Sequence, residues 1–263
     1  MKGPASPPFQ TARDAGSDDC TTPISFWLKY PRRRLQPSQP APPPGQRSPQ
    51  TPPEQSRKVA EICHLAPVIP VLVIDDLMHA AKLAAALIAG GLPVLEVTLR
   101  TQVALEAIRR MAEVPGGRVG AGTLLTPADV KGAKAAGATF GVSPGATDRI
   151  LDACAEYDLP LLPGAATASE IMALLEKGYS VQKFFPAEQS GGAAFLKSIG
   201  APIPQVKFCP TGGIGLKNAR DYLNLSNILC VGGSWVAPKQ AMEHGDWAAI
   251  TQLAAEAVAL GHV

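Results

Sequence analysis

The 263-residue chain is 46% hydrophobic and 17% charged, the balance of a globular protein with a sizeable core. Its net charge of +2 is a sum of unlike parts: residues 1–57 hold eight basic and four acidic side chains, the remainder sixteen and eighteen. The body therefore implies no basic face for nucleic acid, and its longest apolar stretch, residues 80–92, is too short and too interrupted by Lys82 to span a bilayer.

Residues 1–57 contain half of the 26 prolines and almost no apolar periodicity, so they read as a disordered, proline-rich extension. A targeting peptide fits poorly, because Asp14, Asp18 and Asp19 oppose a transit sequence and no early apolar core precedes them. Pro42-Pro43-Pro44 lacks a clear docking motif, which leaves a solvated tail or an overextended start of translation as equal readings.

From residue 58 strand and helix signals alternate. A lead helix over 58–65 is followed by strand 68–74, helix 76–89, strand 94–98, helix 102–112, strand 118–122 and helix 127–136. Thr126 caps that last helix, with Pro127 in its first turn and Gly137 beyond its end. Strand 139–142, helix 148–157, strand 161–162 and helix 168–177 come next, the last opened by Thr167 and Glu170 at capping-box spacing. Strand 181–185, helix 193–199, strand 205–209, helix 216–223, strand 228–231 and helix 247–260 complete the series. Eight strand–helix repeats in about 205 residues predict a parallel sheet closed as a (β/α)₈ TIM barrel over residues 58–263, in preference to a doubly wound sheet.

Catalytic groups of such a barrel lie at the C-terminal ends of its strands. On the second strand Glu96, Thr98 and Arg100 share one face, and polar residues turned into a barrel are expensive unless they serve a site. The third strand ends in Gly122-Thr123, the fourth in Ser143-Pro144-Gly145 and the fifth in Pro163-Gly164. The sixth carries Lys183 between Val181 and Phe185 on one face. A lysine there either snorkels to water or sits in a pocket, where its free amine can attack a carbonyl. Gly212-Gly213 after the seventh strand and Gly232-Gly233-Ser234 after the eighth lie where this barrel class exposes backbone N–H groups to phosphate.

These groups suggest one task. Arginine and a threonine hydroxyl can hold a carboxylate, a pocket lysine can form an imine with a ketone, and a glutamate can shuttle protons. A phosphate cradle can anchor the far end, so a 2-keto acid with a phosphorylated tail fits all four. A barrel epimerase or synthase would not need the strand-centred lysine, and a non-catalytic sugar-phosphate-binding barrel requires that lysine to be inert.

The motifs Glu96-Val-Thr-Leu-Arg100-Thr101, Val119-Gly-Ala-Gly-Thr123, Ser143-Pro144-Gly145, Lys183-Phe-Phe-Pro-Ala-Glu188, Phe208-Cys-Pro-Thr211-Gly-Gly-Ile214 and Gly232-Gly-Ser234-Trp235 closely resemble the bacterial 2-keto-3-deoxy-6-phosphogluconate (KDPG) aldolase family, also known for 4-hydroxy-2-oxoglutarate aldolase activity. The resemblance runs from about residue 58 to the C-terminus. It implies a class I aldolase without metal or other cofactor, and a homotrimer acting on a small phosphorylated keto acid. It further implies Lys183 as the Schiff-base lysine and Glu96 as the general acid/base, with Arg100 and Thr123 on the pyruvate carboxylate. Phe185 and Pro144 would shape the pocket, and Thr211 would influence stereoselectivity. Gly212, Gly213, Gly233 and Ser234 would approach the phosphate. The sister 2-keto-3-deoxy-6-phosphogalactonate aldolases lack the Leu99-Arg100-Thr101 pattern, so the gluconate reading is preferred.

Two expectations concern the environment. Five widely spaced cysteines (Cys20, Cys63, Cys154, Cys209, Cys230) without a Cys-x-x-Cys fit reduced thiols in a cytoplasmic compartment. The four histidines show no ligand spacing, so no structural zinc is expected.

Overall fold

The computed structural model describes residues 50–261. Its strands are β1 (Val68–Leu72), β2 (Val94–Thr98), β3 (Arg118–Gly122), β4 (Phe140–Val142), β5 (Leu161–Leu162), β6 (Gly164–Ala165), β7 (Val181–Phe184), β8 (Lys207–Pro210) and β9 (Val231–Gly233). Every ladder is parallel, in the orders β5-β4-β3-β2-β1-β9 and β6-β7-β8. Pro163 separates β5 from β6, so these are two halves of one barrel strand. At the other seam the bridges Phe208 to Ile228 and Thr211 to Gly232 join β8 to β9. Eight staves thus close the expected TIM barrel, and Lys183 lies on the sixth, β7.

The helices are α1 (Pro52–Cys63), α2 (Leu77–Ala89), α3 (Ala104–Ala112), α4 (Pro127–Ala135), α5 (Asp148–Glu156), α6 (Ala168–Glu176), α7 (Gly192–Ile199), α8 (Ala219–Leu223), α9 (Lys239–Glu243) and α10 (Trp247–Val258). Their apolar faces and the outward residues of the strands, among them Leu95, Val97, Val119, Leu161 and Phe184, form one continuous core layer. Inside the barrel a second cluster gathers Ile69, Val94, Phe140, Val142, Leu162, Val181, Cys209 and Cys230, floored by Val59 and Cys63 of α1. The Cys230 thiol is held well above its ordinary range, first by hydrogen bonds with Cys209 and Cys63 and then by burial. Burial alone pushes Cys154, on α5, up to about 12.

The lead helix begins at Pro52, not at residue 58, so residues 52–57 belong to α1 rather than to an unstructured extension. Thr51 donates to the Glu54 carboxylate from both its N–H and its hydroxyl at 2.9 Å, and Pro52 and Pro53 occupy the first turn, where a missing N–H removes no helical bond. Residues 1–49 of the expected extension, with Cys20, lie outside the described residues, as does His262. α1 also stitches the barrel floor where β5 and β7 share no ladder. The buried Gln55 side chain accepts from Leu161 N–H at 3.2 Å, and Ser56 Oγ accepts from Ser180 N–H at 3.0 Å.

Smaller departures have local causes. The first strand stops at Leu72, and the last is shifted to Val231–Gly233 because its glycine pair has backbone to pair but no side chain to announce it. The helix expected over 216–223 starts at Ala219, since Asn218 folds back to accept from Gly215 N–H. The short α9 was not anticipated.

Candidate active site

Alternation along the staves places the chemistry one layer above the apolar interior. On β2, Val94 and Glu96 point inward while Leu95 and Val97 meet the helices; on β7, Val181 and Lys183 point inward while Phe184 packs outward. Gln182, on the outward face, is satisfied by donating to Ile171 O at 3.1 Å and Tyr179 O at 2.9 Å. Lys183 thus has no route to the outer surface.

Its Nζ lies 3.3 Å from Glu96 Oε1, and the two residues are 6% and 3% exposed. Burying either charge alone would be strongly unfavourable, and the opposite charge offsets much of that desolvation. Among the described residues this is the one ion pair that is buried; the others are solvent-exposed. The Phe185 ring centroid lies 5.2 Å from the same Nζ, a cation–π contact that also walls the amine. Phe185 follows β7 directly and precedes Pro186 through a cis peptide bond.

Gly122, opposite Thr98 in the β2–β3 register, makes room for the acid: a Cβ there would stand 2.2 Å from Glu96 Oε1. The next residue, Thr123, has φ 61, a left-handed conformation that a β-branched side chain adopts only under strain. Strained residues gather at functional sites, and this one follows Gly122 at the tip of β3.

Arg100 is solvent-exposed and donates from Nε to Thr98 Oγ1 at 3.1 Å, so its hydrogen bond goes to Thr98 rather than to the Lys183–Glu96 pair. Pro144 is half-buried against the fifth stave, its carbonyl 2.3 Å from where a Gly164 Cβ would be. Thr211 is 6% exposed, faces Gly232, and its buried hydroxyl has no hydrogen-bond partner. Gly212 and Gly213 have φ of 107 and 75, a left-handed turn that packs against Ala187 and Glu188. Gly233 is buried beside the Trp235 ring, and Ser234 is exposed at the rim.

The structure thus joins Lys183, Glu96 and Phe185 by contact and gathers the others at strand ends of the same mouth. Sequence reasoning missed Gly122 as the seat of Glu96, although its register opposite Thr98 follows from strand pairing. It also missed the hydrogen bond from the buried Tyr222 hydroxyl to Glu188, beside the Gly212-Gly213 turn. Burial and that carboxylate both push the Tyr222 phenol upward.

A cleft of about 340 Å³ between Asp75, Asp76, His79, Lys239, Met242 and Glu243 lies outside this constellation. Among the described residues, no cluster of three or more His, Cys, Asp or Glu side chains has metal-ligand geometry, and no helix is long and apolar enough to cross a membrane.

Known proteins similar to this chain identify its family. The family model for KDPG and KHG aldolase matches residues 59–253. A 2-dehydro-3-deoxy-phosphogluconate aldolase of Dickeya dadantii is 52% identical over 200 residues, which are 76% of this chain and 94% of that protein. The crystal structure of the Zymomonas mobilis 2-keto-3-deoxy-6-phosphogluconate aldolase with 3-phosphoglycerate superposes with a TM-score of 0.75 at 50% identity, covering 79% of this chain and 98% of that one. The Legionella pneumophila KDPG aldolase, with pyruvate captured as a covalent carbinolamine, gives a TM-score of 0.74 at 48% identity, covering 76% and 97%. Lys183 and Glu96 meet inside a (β/α)₈ barrel whose strand-end motifs and nearly full-length relatives agree: the chain belongs to the KDPG and KHG aldolase family.

Proposed function

We propose that the protein is a class I aldolase that cleaves 2-keto-3-deoxy-6-phosphogluconate to pyruvate and glyceraldehyde 3-phosphate. It would also cleave 4-hydroxy-2-oxoglutarate to pyruvate and glyoxylate. The observation that carries this reading is the buried Lys183–Glu96 contact at 3.3 Å in the barrel mouth. The carbinolamine trapped in the Legionella relative supports the covalent route.

In this mechanism Lys183 passes a proton to Glu96 and its free amine adds to the C2 ketone; Glu96 returns the proton as the carbinolamine hydroxyl leaves as water, giving a protonated imine and a carboxylate again. Glu96, through a water, takes the C4 hydroxyl proton. The C3–C4 bond then breaks, its electrons moving into the iminium to leave an enamine and release the aldehyde. Return of the proton to C3 and hydrolysis of the imine yield pyruvate and the free lysine. The iminium supplies the electron sink, so the route needs no metal or organic cofactor. Arg100 and Thr123 would hold the carboxylate shared by both substrates, with Phe185 and Pro144 as pocket walls and Thr211 guiding the incoming aldehyde. Gly212, Gly213, Gly233 and Ser234 would receive the phosphate of the longer substrate through backbone N–H groups.

The working form is proposed to be a cytoplasmic homotrimer whose catalytic domain runs from α1 to the C-terminus. Steady-state cleavage of both substrates, read as pyruvate released, tests the reading. The phosphorylated substrate should show the higher kcat/KM, because it alone uses the glycine turns. Failure to cleave either substrate would refute the aldolase assignment.

A further inference from the structure

Arg100 stands on a loop that is stitched to its neighbours beyond the end of the regular ladder. The β1–β2 register ends at Leu72 opposite Val97. Past that point Thr98 Oγ1 donates to Leu72 O at 2.9 Å and Thr101 Oγ1 donates to Ile74 O at 2.7 Å, while Leu99 N–H donates to Gly122 O at 2.9 Å. The Thr98 hydroxyl is 2% exposed and has one proton, which the Leu72 carbonyl takes. Its lone pair is thereby turned toward Arg100, whose Nε donates to it at 3.1 Å.

This arrangement has a chemical consequence. A guanidinium presents its donors in a fixed planar fork. With Nε held by Thr98, the fork's orientation about its own plane is set, and the two Nη groups remain for a ligand. A long, exposed side chain otherwise loses rotamer freedom when it binds, and fixing it beforehand removes part of that loss.

We propose that Thr98 is a positioning residue: its hydroxyl relays the fixed position of the Leu72 carbonyl to the Arg100 guanidinium and pre-orients it for the substrate carboxylate. The inference rests on the aldolase reading of Arg100 given above. It assigns Thr98 an effect on affinity for the pyruvyl end, common to phosphorylated and unphosphorylated substrates, and no part in bond cleavage.

The test is borohydride trapping of pyruvate on the full chain, titrated in pyruvate, together with steady-state cleavage of both substrates. Thr98→Val should raise half-saturating pyruvate and the KM of both substrates by about three- to tenfold, the cost of immobilising one long side chain on binding, with kcat changed far less. Thr98→Ser keeps both hydrogen bonds and should restore the wild-type values. In an Arg100→Ala background, Thr98→Val should add nothing further. If valine prevents folding, Thr98→Ala leaves space for a water at Leu72 O and makes the same comparison. An unchanged pyruvate dependence, or an equal effect without Arg100, overturns the role of Thr98 while leaving the aldolase reading intact. Absence of any adduct in the unsubstituted protein overturns that reading first, and this inference with it.

Discussion

Substituting Gly122 by alanine displaces the acid without removing any reacting group. Gly122 lies within β3, and its φ is not in the left-handed region, so alanine suits its backbone. The added Cβ would lie 2.2 Å from Glu96 Oε1, 2.7 Å from its Cγ and 2.8 Å from its Cδ. Ordinary heavy-atom contacts begin near 3.5 Å, so the carboxylate must withdraw by about 1 Å. That is a large fraction of its 3.3 Å separation from Lys183 Nζ. A misplacement of about 1 Å in a catalytic group lowers turnover by roughly 10²-fold, which is the loss of kcat expected for Gly122→Ala. Overpacking should also lower stability by about 1–3 kcal/mol, so activity is compared well below the melting temperature. A continuous assay of pyruvate release measures kcat, and borohydride trapping verifies that Lys183 still forms its imine. A folded variant that traps pyruvate and turns over within about threefold of wild type would refute the placement of Glu96 as the proton-transfer group.

Three further outcomes follow from contacts elsewhere in the structure. Gln55→Ala leaves the buried Leu161 N–H unpaired, which should destabilise the fold by about 1–3 kcal/mol in urea denaturation while kcat is unchanged, since α1 floors the end opposite the site. A loss of kcat without loss of stability would contradict that division of labour. Thr211→Val removes a buried hydroxyl with no partner, so the free protein should be as stable as wild type or more so. Its stereoselectivity in aldol addition should fall, and unaltered product ratios would take Thr211 out of the pocket's selectivity.

Glu170 accepts from Ala166 and Thr167 N–H groups at 2.9 Å, and the Ala166 contact chiefly holds its carboxyl below the usual range. A lowered folded-state value means that this stabilisation is present above the ordinary glutamate pKa and is lost as pH falls through the lowered one. Glu170→Ala should therefore melt below wild type at neutral pH, by a small margin because the carboxylate faces solvent, and the gap should close in acid. A gap independent of pH would show that the charge is not the cause.

What could be read from the chain follows from where side chains carry the signal. β2 and β3 fall on the residues expected, because apolar strands bounded by Pro93, Gly117 and polar tips leave little choice. α4 and α6 were legible through Thr126 with Pro127 and Thr167 with Glu170, whose start signals are local. The signal failed where backbone alone decides. Pro163 reads as the end of the fifth strand, yet the stave resumes beyond it at Gly164–Ala165, and past Val231 only glycine marks β9. Pro52 and Pro53 read as breakers, although at a helix start they are starters.

The site divided in the same way. Glu96 and Lys183 could be named from strand alternation and the family motifs, yet they are 87 residues apart, and only barrel closure brings them to 3.3 Å. The seating of Glu96 by Gly122 and the tie of Thr98 to the Leu72 carbonyl depend on cross-strand register, which one strand's sequence does not contain.

The whole proposed route depends on Lys183 as the nucleophile. Incubation with pyruvate and sodium borohydride, followed by peptide mass spectrometry, tests it most directly. A reduced pyruvyl adduct is predicted on Lys183 and on no other lysine, with none formed by Lys183→Met. A folded protein that forms no adduct, or an adduct that persists in Lys183→Met, would contradict the account.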